Sequence, residues 1–151
     1  MKKRKCDGMR REDIQVFRDV QKNAQLAMKA VDTIADKTYD DALALQLSRQ
    51  SLKYSQLQNQ AAEKLLSAHL EPVRSNVVEE ALVAGGIHKD TLFNTSTSHI
   101  AELMIQESSR KISRLFQSLH KYENAGDEAV EMAREFMDFE ESNIRQLRKF
   151  L

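Results

Sequence analysis

The chain has 151 residues, enough for one domain with a sizeable core. Its 23 Lys and Arg balance its 23 Asp and Glu, so no global charge points to nucleic acid or an anionic membrane. Cys6 is the single cysteine, which excludes an internal disulfide, and no run approaches the ~20 apolar residues of a bilayer span. A cytoplasmic, folded protein is expected.

The first stretch, "MKKRKCDGMRRED", begins like the charged start of a signal peptide, but no apolar run follows it. Lys2, Lys3, Arg4, Lys5, Arg10 and Arg11 face Asp7 alone. Residues 1–11 are therefore read as a basic, flexible arm and residues 12–151 as the folded domain. Such an arm can reach nucleic acid or an anionic surface, but the plainer and preferred reading is a solvated terminus. Nothing beside Cys6 supplies a base, so the thiol reads as a bystander.

One Pro and four Gly leave little to interrupt helices. The spacing predicts a first helix over 12–36, with Phe17, Val20, Ala24, Ala27, Val31 and Ile34 on one buried stripe. Thr38 and Asp41 resemble a capping box for a second helix over 39–70. Its stripe is Leu43, Leu47, Gln50, Tyr54, Leu57, Ala61 and Leu65, and Pro72 stops it. "NVVEEALVAGG" predicts a short helix halted by Gly85 and Gly86. A third long helix over 95–124 starts in "TSTS", whose hydroxyls suit a helix N-terminus. It is expected to bury Ala101, Ile105, Ile112, Leu115 and Leu119. The tight turn "ENAGDE" leads into a fourth over 127–150, burying Ala133, Phe136, Met137, Glu140, Ile144 and Leu147.

The connections set the topology. The first and last are only a few residues long and force antiparallel hairpins. The middle one spans about 20 residues or more, and such a length can extend to roughly 65 Å. The second helix is about 45 Å long at 1.5 Å per residue. A crossover needs that reach and a hairpin does not. The expected fold is all-α: a ferritin-like four-helix bundle, two antiparallel hairpins joined by a long crossover that contains a short helix.

The segments "TSHIAELMIQ" and "FEESNIRQL" resemble small uncharacterised ferritin-like four-helix-bundle proteins of anaerobic Firmicutes. The resemblance spans the four long helices and is best in the second hairpin. It implies the fold and carries no activity.

Ferritin-like di-iron sites take a Glu from each of two helices and Glu-x-x-His from each of the other two. This chain has no Glu-x-x-His. The third long helix carries the reverse order, His99-x-x-Glu102, and the fourth has an amide in Glu140-x-x-Asn143 where an imidazole would stand. Counting turns from the hairpins groups the polar stripe residues into layers. Asp32, Gln46, His99 and Glu102 form the first; Gln25, Gln50, Gln106 and Asn143 the second; Tyr54, Ser109 and Glu140 the third. Arg110 is placed within reach of Glu140.

The ligand set is thus degenerate, and the expectation is a non-catalytic bundle of unknown role. Met104, Leu103 and Phe139, off the main stripes, suggest self-association as a homodimer. No cofactor is required. One alternative is a mononuclear iron, manganese or zinc site on His99, Glu102 and Asp32, with redox or hydrolytic chemistry at its open positions. A second is an interaction module using the basic arm. The amides and hydroxyls, Gln25, Gln50, Tyr54, Gln106 and Asn143, together with Glu140, read as a buried hydrogen-bonded network that fixes helix register.

Overall fold

A computed structural model describes residues 9–151; Cys6 and most of the basic arm lie outside the described residues. Among the described residues there are five α-helices, one final 3-10 turn and no β-strand. They are α1 (Arg11–Ala35), α2 (Asp41–Ser67), α3 (Val77–Asp90), α4 (Thr97–Lys121) and α5 (Asp127–Leu147). None is long and apolar enough to cross a membrane.

α1 packs against each of the other four helices, which is why it is buried on more than one stripe. Val16, Leu26 and Ala30 join the expected line, as do the polar Gln21 and Asn23. On α2 the buried set is Leu43, Leu47, Gln50, Tyr54, Leu57, Ala61 and Leu65, the stripe that its periodicity predicts. Phe136, Ile34, Leu43, Leu57 and Leu65 are fully buried. Each such side chain contributes about 2 kcal/mol through area removed from water.

Contacts between the long helices fix the chain's course. Glu12 and Asp13, in the first turn of α1, accept hydrogen bonds from the backbone amides of Asn124 and Gly126 in the α4–α5 turn. Further along, Ser118 donates to Asp19 at 2.7 Å. α1 and α4 therefore run antiparallel. Lys64 pairs with Glu128 at 2.9 Å and Lys53 with Glu135 at 2.6 Å, so α2 and α5 also run antiparallel. Residues 68–96 must then return along the length of the molecule. α3 lies within that segment against α1, tied by Lys22 to Glu79 at 3.0 Å.

Several expected ends move. Thr38 donates to the carbonyl of Ile34 instead of capping α2; the cap is Asp40, which accepts from the amide of Leu43 at 2.9 Å. α2 stops at Ser67, short of Pro72, because His69 takes φ 61°. The amides of His69 and Leu70 then reach the carbonyls of Leu66 and Leu65, both at 2.9 Å, a Schellman ending. Gly85 and Gly86 do not halt α3, which runs on to Asp90. Its last turn is anchored by buried Ile87, whose carbonyl accepts from the Thr91 hydroxyl at 2.7 Å.

α4 departs most from expectation. Ala101 and Leu115 are buried, but Ile105, Ile112 and Leu119 are only half-buried. The inward line is Ala101, Met104, Ser108, Lys111, Leu115 and Ser118. Met137 and Ile144 on α5 are likewise half-buried, whereas Asn143 is buried.

Candidate functional site

The densest polar cluster lies inside the core. Glu140 on α5 is fully buried, and one of its oxygens, Oε1, takes three hydrogen bonds. The Tyr54 phenol donates from α2 at 2.6 Å, Ser108 Oγ from α4 at 2.8 Å, and Asn143 Nδ2 from the next turn of α5 at 2.9 Å. Asn143 Nδ2 also donates to the Tyr54 oxygen at 3.2 Å. Phe136 and Phe139 pack against the Tyr54 ring, with centroids at 5.8 and 5.4 Å. These contacts hold the phenol in one orientation.

Spacing on the helices explains the convergence. Glu140 and Asn143 are three apart and share a face of α5. Ser108 and Lys111 share a face of α4 in the same way. Lys111 is fully buried, and its ammonium sits 3.4 Å from Glu107 Oε1. Arg110 pairs with Glu107 as well, and does not meet Glu140. Glu140 Oε2 and both side-chain polar atoms of Gln50, one turn before Tyr54, are buried without a hydrogen-bond partner.

Burial dominates the ionisation of all three charged or acidic groups. It raises the Glu140 carboxyl above its ordinary range, against the hydrogen bonds from Tyr54, Asn143 and Ser108 and the nearby Lys111 charge. It raises the Tyr54 phenol too, and the adjacent Glu140 charge pushes the same way. The phenol therefore stays protonated and acts as a donor. Burial lowers Lys111, while Glu107 supports its charge.

The residues expected to form one network separate in the structure. Gln50, Tyr54, Glu140 and Asn143 are buried at the centre. Gln25 is half-buried and donates instead to the Val73 carbonyl of the crossover at 3.2 Å. Gln106 is exposed and lines a groove of about 300 Å³ between α3 and α4 with Leu82, Ile87, Arg110 and Arg114. Ser109 is exposed as well; its neighbour Ser108 makes the contact with Glu140. Two participants carried no periodic signal: Ser108 is too small to mark a stripe, and Lys111 counts as a surface residue in any pattern.

At the start of α4, Ser96 caps the helix by accepting from the His99 amide at 3.3 Å. His99 Nε2 donates to the Asp90 carbonyl at 2.8 Å, joining the end of α3 to α4. Its Nδ1 lies 3.6 Å from Glu102 Oε1, so the expected pair does share a face. Asp32 does not join it: its side chain is exposed on α1, and no three His, Cys, Asp or Glu among the described residues converge to hold a metal ion. Turn counting groups Asp32 with this pair, and the structure leaves His99 and Glu102 without it. Glu102 is mostly exposed and His99 is already used by Asp90.

A scan against protein-family models finds no match, and no curated protein matches the chain. Neither comparison supports the resemblance to a ferritin-like family of Firmicutes. Among solved structures the chain is similar to the crystal structure of a DUF305 fragment from Deinococcus radiodurans. The TM-score is 0.71 over 94% of this chain and 96% of that one, at 14% sequence identity. That likeness is one of helical fold alone.

Proposed function

We propose that the chain is a self-associating, non-catalytic scaffold built as a ferritin-like four-helix bundle. Two antiparallel hairpins and a lengthwise return segment support the architecture. The di-iron chemistry of such bundles does not fit the residues present. Around Glu140 stand a phenol, a hydroxyl and an amide, all spent on one carboxylate oxygen. Hard cations at that level would need further carboxylates or imidazoles.

The observation that carries the reading is on the outside of α2. Leu45, Leu52 and Leu66 are 52%, 63% and 57% exposed, on the face opposite the core. Leu103 and Met104, which in the sequence point to self-association, are buried, and Phe139 packs against the core. Exposed apolar residues also stand on α3 at Val77, Val78 and Leu82 and before α4 at Leu92 and Phe93, but those on α2 recur along one face of a long helix. Size-exclusion chromatography with light scattering tests the reading: a dimer is expected at tens of micromolar, and a monomer throughout that range overturns it.

A further inference from the structure

The outward line of α2 reads Leu45, Arg49, Leu52, Gln56, Asn59, Glu63, Leu66. Its steps alternate four and three, the 3.5-residue period that keeps one seam facing a second helix. All seven side chains are exposed. The charges beside this line are already used within the chain: Lys53 binds Glu135 and Lys64 binds Glu128. The charges on it are not. Neither Arg49 nor Glu63 has an ion-pair partner among the described residues, and Gln56 and Asn59 make no side-chain hydrogen bond there.

Gln56 is the middle residue of the seven, flanked by Leu52 on one side and Asn59 on the other. Arg49 stands seven residues before it and Glu63 seven after. A parallel partner would set Arg49 against Arg49 and Glu63 against Glu63, which is repulsive. An antiparallel partner with its twofold axis at Gln56 sets Arg49 beside Glu63 of the second copy, twice. It also sets Leu45 beside Leu66 of the second copy, twice, and Gln56 against itself. An isologous twofold contact requires this self-complementarity.

Resting on the self-association proposed above, we infer that two copies of the chain pair antiparallel through the outer face of α2, with the twofold axis at Gln56 and reciprocal Arg49–Glu63 ion pairs. The contact runs roughly 30 Å, the length of α2 from Leu45 to Leu66. It is narrow and partly polar, so the dimer belongs with small, reversible interfaces and forms in the micromolar range.

Sedimentation equilibrium over a concentration series provides the test. Arg49→Glu and Glu63→Arg should each weaken dimerisation about tenfold, because each replaces two attractions by two repulsions. The double exchange should restore it. All these positions are exposed, and circular dichroism checks that the helices remain. In a Cys6→Ser background, Gln56→Cys should form a disulfide-linked dimer on mild oxidation, since only residues near a twofold axis approach their own copy closely enough. A dimer unaffected by either single reversal overturns the α2 pairing and leaves self-association standing. Loss of dimer in both single variants without rescue in the double, or no cross-link at Gln56→Cys, overturns the antiparallel register. A monomer at every concentration overturns both proposals.

Discussion

The phenol of Tyr54 donates to Glu140 at 2.6 Å across the α2–α5 interface, and this bond joins the two hairpins at the centre of the core. Truncating either partner leaves the other buried without its complement. Tyr54→Phe should cost about 1–3 kcal/mol, and Glu140→Ala about 3 kcal/mol because Ser108 and Asn143 also lose their acceptor. The double variant should cost less than the sum, with a coupling of about 1–2 kcal/mol by urea denaturation. Additive costs would show that the bond contributes nothing net.

The raised Glu140 carboxyl makes stability depend on pH in a defined direction. The folded chain holds this proton more tightly than the unfolded chain, whose glutamates titrate near 4.3. The contribution is therefore full below that value and lost as pH climbs through the folded pKa. Glu140→Gln removes the group and should flatten the decline above the ordinary carboxylate range. Lys111→Met should extend the decline to higher pH, because the Lys111 charge is one of the influences holding the carboxyl down. Denaturation midpoints across a pH series give both results.

How far the sequence discloses this site differs between helices. The buried stripe of α2 is legible, since its positions are bulky or apolar at the helical period. α4 misleads because Ser108, Lys111 and Ser118 occupy the buried line while Ile105 and Ile112 lie at its edges. Hydrophobic periodicity then points the helix about one residue away, and Ser109 is taken for Ser108. Lys111 enters the core through partial compensation by Glu107 one turn earlier, a pairing visible only once the face is known. The end of α2 is hidden for another reason: a histidine adopts the left-handed conformation that Gly normally supplies.

That histidine yields a stabilising substitution. At φ 61° a Cβ is disfavoured, and His69 is exposed, so no packing is lost on removing its ring. His69→Gly should raise stability by about 0.5–1 kcal/mol, with the loss of chain stiffness in the unfolded state as the opposing effect. A melting temperature that falls would show that the imidazole contributes a contact of its own.

The His99 imidazole joins α3 to α4 through the Asp90 carbonyl, so its removal is a test of architecture before chemistry. His99→Ala should lower stability by about 1 kcal/mol. Zinc, iron or manganese added to the wild-type chain should leave its melting temperature unchanged. A rise in melting temperature that His99→Ala abolishes would instead establish a metal site on this residue.

At Val73 the return segment is held to α1 chiefly by the side-chain amide of Gln21. Gln21 is buried; its Nε2 donates to the Val73 carbonyl at 3.3 Å and its Oε1 accepts from the Val73 amide at 2.8 Å. Both backbone groups of one crossover residue are thereby satisfied, and Gln25 adds a second donor to the carbonyl. Arg74, the next residue, is largely exposed and presents a trypsin site. Gln21→Ala removes both bonds and should cost about 2 kcal/mol. The local effect should be larger than the global one, because the segment around Val73 opens without unfolding the long helices. Trypsin cleavage after Arg74 should then accelerate well beyond what the change in global stability accounts for, while Gln25→Ala, which leaves the Val73 amide bonded, should have a smaller effect. Equal cleavage rates in Gln21→Ala and the wild type would show that the segment is held by its other contacts.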